Sequence, residues 1–262
     1  MRILVIGSGS SGNSTYIEGR SAKILIDAGF SNKYTNKKLE EAGIVNYKID
    51  ALFITHEHGD HTQNIGSIVK NTNVKYYISQ KSFFALSPKH YNDIKDFPHE
   101  FVDAFDKIKI NDMTITLIPL SHDSVECFGL IIEEDDKKIV YIADTGYVSE
   151  DYREMLGNAN CYLFEANHDP LMQMASNRTQ ELKNRVLGDR GHLSNEDSAV
   201  ALSYLIGDKT TNIIFTHRSR ECNDLDILKE TIFGVFETFS IDKDKLEIDY
   251  AEQNYASRLI EV

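Results

Sequence analysis

Between Ala51 and His61 an apolar run of strand length ends in His56-Glu57-His58-Gly59-Asp60-His61. Three imidazoles and two carboxylates within six positions repel and desolvate one another unless a cation sits among them. Side chains alternate along a strand, so His56 and His58 leave its end on one side while Glu57 points away. Gly59 permits the sharp turn that swings Asp60 and His61 back towards the same point. Imidazole and carboxylate are ligands for zinc, manganese or iron, and the chain is expected to fold around a metal site at a strand end. A merely solvated loop has no reason to concentrate these ligand types.

The rest of the chain sets bounds on that expectation. A length of 262 residues with 41% apolar content suits one large domain spanning 1–262, and four prolines leave no linker-like tract. Cys127, Cys161 and Cys222 are odd in number and far apart, which reads as free thiols in a reducing cytoplasm. Met1–Ile6 is an apolar run too short for a signal peptide or a membrane span. The net charge of −13 excludes a broad basic surface for nucleic acid. Two bound divalent cations would add +4 locally, so any nucleic-acid contact is expected at the site itself.

Periodicity predicts strands at Arg2–Ile6, Ser14–Glu18, Lys23–Asp27, Ala51–Thr55, Val74–Ser79, Met113–Leu120, Phe128–Glu133, Ile139–Ala143, Cys161–Ala166 and Asn212–Thr216. Helices are expected at Tyr34–Ala42, His61–Lys70, Asn195–Ile206 (capped by Ser194) and Leu225–Phe236, with the stretch from Phe83 to Lys109 mixed. Two strand-rich halves with interspersed helices suggest two packed sheets covered by helices. One loop cannot complete two metal shells. His122, Asp144 and His217 each stand just past an apolar strand, the same setting as His56.

With those residues the chain resembles the metallo-β-lactamase fold, whose H-x-H-x-D-H signature is matched by His56, His58, Asp60 and His61. The later motifs of that fold fall in order on His122, Asp144 and His217, and its first, a structural aspartate, on Asp27. The resemblance spans Gly7 to about Arg220. It implies an α/β, four-layer αββα sandwich of two mixed sheets with helices on both outer faces. It further implies two divalent ions (zinc or manganese, or iron), one held by His56, His58 and His122, the other by Asp60, His61 and His217, with Asp144 bridging. Such a pair, about 3.5–4 Å apart, generates a hydroxide at neutral pH and clamps a developing oxyanion. Phosphodiesters, thioesters and lactams are all within reach of that chemistry.

Spacing narrows the choice. Only 72 residues lie between Asp144 and His217, and 21 between His122 and Asp144. The first gap leaves no room for an inserted nuclease cap, the second none for a tRNA-gripping arm. Gly191-His192-Leu193-Ser194 resembles a segment of the tRNA 3′-processing enzymes, with Glu165 matching the glutamate that orients its histidine. There His192 would donate a proton to the leaving oxygen or brace the phosphate; as a helix-entry residue it would only satisfy backbone groups. The runs Asp144–Ser149, Glu165–Asp169 and Leu187–Asp197, with the opening Gly7–Ser14, resemble the YycJ/WalJ family. That likeness implies a 5′-to-3′ exonuclease on double-stranded DNA preferring a 5′-phosphate, functionally linked to a cell-wall two-component regulator. Asp60 would then orient the attacking hydroxide as well as bind metal.

Three residues are substrate-contact candidates. Ser8 lies in a Ser/Gly loop whose amides either cradle a phosphate or form a tight connection. Arg220 grips a phosphate or is solvated, and His168 contacts substrate or braces the wall. The alternatives to DNA hydrolysis are an RNA or cyclic-nucleotide phosphodiesterase, a glyoxalase II-like thioester hydrolase, and a non-catalytic partner of the two-component system. The acidic tail Asp242–Val262 lacks the basic, glutathione-gripping helix of the thioester enzymes.

Overall fold

The computed structural model describes residues 1–45 and 48–262. Its strands are β1 (Arg2–Gly7), β2 (Ser14–Glu18), β3 (Lys23–Ile26), β4 (Ala51–Phe53), β5 (Lys75–Ile78), β6 (His99–Phe101) and β7 (Lys107–Ile110). They continue as β8 (Met113–Leu120), β9 (Cys127–Glu134), β10 (Lys137–Ile142), β11 (Cys161–Glu165), β12 (Asn212–Thr216), β13 (Glu247–Tyr250) and β14 (Ile260–Glu261). Two seven-stranded sheets result, in the orders β14-β1-β2-β3-β4-β5-β6 and β13-β12-β11-β10-β9-β8-β7. Each is mixed: β14 to β3 pair antiparallel and β3 to β6 parallel, while β7 to β10 pair antiparallel and β10 to β13 parallel.

Alternation decides which face each side chain takes. Val5, Ile24, Ile26 and Phe53 from the first sheet meet Ile115, Leu130, Tyr141, Leu163 and Ile214 from the second in one buried cluster between the sheets. The opposite faces are covered by helices. Leu4, Leu25, Leu52 and Tyr76 pack with Leu39, Ile68, Val69 and Phe83. Val140, Tyr162, Phe164 and Ile213 pack with Ala199, Leu202, Leu228 and Ile232. The continuous apolar runs of β10, β11 and β12 follow from burial on both faces. This is the expected αββα sandwich. No helix among the described residues is long and apolar enough to cross a membrane.

Several elements differ from expectation. The helix expected over His61–Lys70 is two, Gly59–Thr62 and Ile65–Thr72, because the side chains of Gln63 and Asn64 turn back onto the Gly29 carbonyl. The mixed stretch opens with helix Gln80–Ala85 and holds helix Pro88–Ile94, entered by Ser79 and Ser87 caps. Pro170–Ala175 and Gln180–Leu187 are helices that periodicity did not reveal, capped by Asp169 and Thr179.

β3, β4, β8, β10, β11 and β12 all deliver their carboxyl ends to one edge of the sandwich. Open α/β sheets place their ligands at such an edge.

Candidate metal centre

Three strand ends break in the left-handed region: Asp27, Asp144 and His217 have φ of 61°, 56° and 54°. A non-glycine residue there costs free energy and persists only where its surroundings fix it. At Asp144 and His217 the turn carries the side chain into the gathering of ligand atoms, and at Asp27 it sets the carboxylate behind His61. Gly29 is needed beneath it, since a Cβ would lie 2.2 Å from the Asp60 carbonyl oxygen and 2.3 Å from the Asn13 nitrogen.

The gathering has two lobes. In the first, Asp60, His61 and His217 face one another, with Asp60 Oδ2 3.4 Å from His61 Nε2 and 3.6 Å from His217 Nε2. In the second, His56, His58 and His122 converge, His58 Nδ1 standing 3.3 Å from His122 Nε2 and the rings of His56 lying 4.6 and 5.1 Å from those of His58 and His122. Asp144 sits at the seam. Its Oδ2 is 2.8 Å from His61 Nε2 and its Oδ1 3.0 Å from His217 Nδ1, and its carboxylate also groups with His56 and His61.

Hydrogen bonds aim these rings. Asp27, fully buried, accepts from Thr55 N and Thr55 Oγ1 and lies 2.8 Å from His61 Nδ1, leaving Nε2 for the cluster. Thr55 Oγ1 also reaches His56 Nδ1 at 3.0 Å. The Gly191 carbonyl holds His122 Nδ1 at 3.1 Å. Glu165 lies 3.0 Å from His217 Nδ1 and 2.7 Å from His192 Nδ1, and accepts from Thr145 N at 2.9 Å. Glu57 does point away, accepting from Val125 N and Ser82 Oγ.

The charges fall into a pattern. Burial and the neighbouring His61 push His56 well below the ordinary imidazole range. Burial would do the same to His61, but Asp27, Asp60 and Asp144 drive it well above that range. Asp144 is lowered although buried, because His217 and His61 favour its anion. Glu165, despite burial that would raise it, is held at about 2 by His192 and His217. His192, which burial alone would lower, is raised to about 9 by Glu165 and Asp144.

His56 Nε2 and His217 Nε2 are buried without a hydrogen-bond partner among the described residues. Buried nitrogens left open beside two carboxylates, among five imidazoles, fit a divalent cation with nitrogen and oxygen ligands. Asp144, Glu165, His192 and His217 also form a compact group, but there Glu165 is surrounded by N–H donors and both rings use Nδ1. That group is better suited to orienting the two histidines.

The remaining candidates fare unevenly. Ser8 is buried, and its hydroxyl accepts from His217 N at 2.9 Å and donates to Asn13 Oδ1. These bonds fasten the opening Ser/Gly loop to the His217 turn. His168 is buried, its carbonyl accepting from Asn195 N beside its bridge to Ser194, its Nδ1 without a hydrogen-bond partner among the described residues, and burial lowers it to about 4. Arg220 is exposed. Sequence reasoning did not single out Asn13, whose Nδ2 donates to Asp60 Oδ2 at 3.1 Å and stands 3.0 Å from His61 Nε2. It also passed over Arg190, which donates to the His122 and Ser124 carbonyls. An asparagine in a glycine loop and an arginine beside Gly191 carry no motif of their own. Gly191 is required where it stands, because a Cβ would meet the Arg185 and Val186 carbonyls at 2.3 and 2.2 Å.

An αββα sandwich with imidazoles and carboxylates gathered at its strand ends defines a metallo-hydrolase class. The profile described as Beta-lactamase superfamily domain matches residues 22–217. Exodeoxyribonuclease WalJ of Streptococcus pneumoniae is 36% identical over 229 residues, 87% of this chain and 85% of that protein. Exodeoxyribonuclease YycJ of Bacillus anthracis is 31% identical over 246 residues, 90% of this chain and 92% of that protein. Zn(2+)-bound PqqB from Methylobacterium extorquens superposes with a TM-score of 0.70 at 13% identity, covering 100% of both chains, a likeness of fold. The chain belongs to the beta-lactamase superfamily, in the family of the WalJ and YycJ exodeoxyribonucleases. It is an enzyme, a metal-dependent hydrolase.

Proposed function

We propose that the enzyme is a dinuclear phosphodiesterase acting on DNA, as a 5′-to-3′ exonuclease on double strands. The observation that carries this reading is the Glu165–His192 pair, 2.7 Å apart beside the seam residue Asp144. Its support is the activity for which the two relatives are named.

His56, His58 and His122 would hold one divalent ion and Asp60, His61 and His217 the other, with Asp144 shared. Bound there, the two ions supply a water acidified towards neutral pH and a clamp on the charge that develops on the phosphate. Asp60, 22% exposed where Asp144 is 2%, is the carboxylate that meets the attacking water and orients it. Glu165 keeps the His192 imidazolium protonated and fixes its ring through Nδ1. The proton on Nε2 is then available to the leaving oxygen, whose departure as an alkoxide would otherwise limit the rate. His192 remains 16% exposed while Glu165 is fully buried, as a donor and its orienting base require.

Metal analysis of the purified protein, followed by digestion of duplexes labelled at the 5′ or the 3′ end, tests this function. Two equivalents of metal and early release of the 5′ label are expected. A metal-loaded protein that leaves 5′-phosphorylated duplex intact while cleaving a small aryl or cyclic phosphodiester would end the exonuclease reading.

A further inference from the structure

One ion pair stands at the mouth of the cluster and has no part in the chemistry above. Asp123 follows His122, and its Oδ1 lies 3.3 Å from His122 Nε2, the nitrogen that faces His58. Its carboxylate is gripped by Nε and Nη2 of Arg185, with Nη2 3.1 Å from Oδ1. Arg185 projects from the helix Gln180–Leu187 with its side chain 52% exposed, and the carboxylates of Asp60 and Asp144 act on it electrostatically. Nη1 makes no hydrogen bond among the described residues.

The other cations of this segment are committed elsewhere. Arg178 binds Glu221, Gln173 and Ser219. Lys183 donates to the Met174 carbonyl. Arg190 holds the backbone of the His122 loop. Arg185 alone among these four has as its sole partner a partly exposed carboxylate beside the cluster. The guanidinium fork fits a carboxylate and a phosphate in the same bidentate manner. A half-exposed pair of this kind adds little to stability, so exchanging one anion for another is inexpensive.

We propose that Arg185 is a receptor for a substrate phosphate and that Asp123 is its resting counter-ion. The incoming phosphate takes the place of the carboxylate on the fork, and Asp123 keeps its position beside His122. A chain of net charge −13 can thus admit a polyanion at one point without presenting a basic surface. The proposal rests on the phosphodiesterase reading above. The phosphate is either a terminal monoester or a backbone diester.

Steady-state kinetics of the metal-loaded protein, with metal content measured for every variant, distinguish these. The substrates are matched duplexes with 5′-phosphate or 5′-hydroxyl ends. Arg185→Ala is expected to raise KM about tenfold or more, with kcat changed by less than about threefold and the metal retained. Arg185→Lys, a point charge without the fork, should recover part of that loss, and Asp123→Asn should lower KM by removing the competing anion. A rise confined to the phosphorylated duplex identifies the monoester; an equal rise on both identifies the backbone. An unchanged KM in Arg185→Ala, or a rise that tracks loss of metal, overturns the proposal. A wild-type protein inert towards both duplexes overturns the exonuclease reading instead, and one inert also towards a small aryl phosphodiester overturns the phosphodiesterase reading.

Discussion

His61 and His217 share their lobe with Asp60 and Asp144, whereas His56, His58 and His122 face one another with the shared Asp144 and the partly exposed Asp123 at their border. The first lobe is braced from behind by Asp27, Thr55, Glu165, Asn13 and Ser8. The second is held by the Thr55 hydroxyl and the Cys127 thiol on His56 Nδ1 and by the Gly191 carbonyl on His122 Nδ1. Without metal, the carboxylate lobe draws protons onto His61 and His217, while burial keeps His56 and His122 neutral. One lobe holds its shape through ion pairs. In the other, burial favours the neutral form of His56 and His122. Affinity for a divalent cation should therefore differ between them, although they lie side by side.

The largest test of that contrast removes what the lobes share. Asp144→Ala should abolish stable binding at both, with metal content below one equivalent by mass spectrometry and activity down about 10³-fold. His192→Ala should lower kcat by about 10²–10⁴-fold with metal content unchanged, since in the proposed mechanism this residue transfers a proton and holds no ion. His58→Ala and Asp60→Ala should each leave one equivalent, and titration of the two variants with zinc would then give the separate affinities. Equal affinities would erase the distinction between the lobes. Asp27→Ala should cost the metal-free protein about 3 kcal/mol in urea unfolding, because it leaves a buried ring without its carboxylate. Ser8→Ala should cost only about 1 kcal/mol, the net worth of one hydrogen bond to the His217 turn.

How much of this was legible in the chain depended on how local each signal is. His56 to His61 are contiguous and announce themselves, and His122, Asp144 and His217 are marked by the apolar runs that precede them. Those runs gave the central strands because burial on both faces leaves little room for polar residues. The short helices after Ser79, Ser87, Asp169 and Thr179 were hidden, since one or two turns give too few positions for a period. β14 pairs with Arg2 and Ile3, a partnership across nearly the whole sequence that neither segment encodes alone. Asn13 and the Asp123–Arg185 pair were missed for the same reason: their roles exist only once distant loops meet.

The contiguity of His56, His58, Asp60 and His61 also bears on refolding. Most partners that define the two lobes come from β3, β8, β10 and β12, so neither lobe exists before the sheets have docked. The six-residue loop, however, carries four of the proposed ligands even in an unfolded chain. Metal present during refolding therefore binds the denatured ensemble as well as the native one. It stabilises the fold by less than its native affinity suggests. Refolding should run faster when a chelator is present and the metal is returned after the sheets have closed.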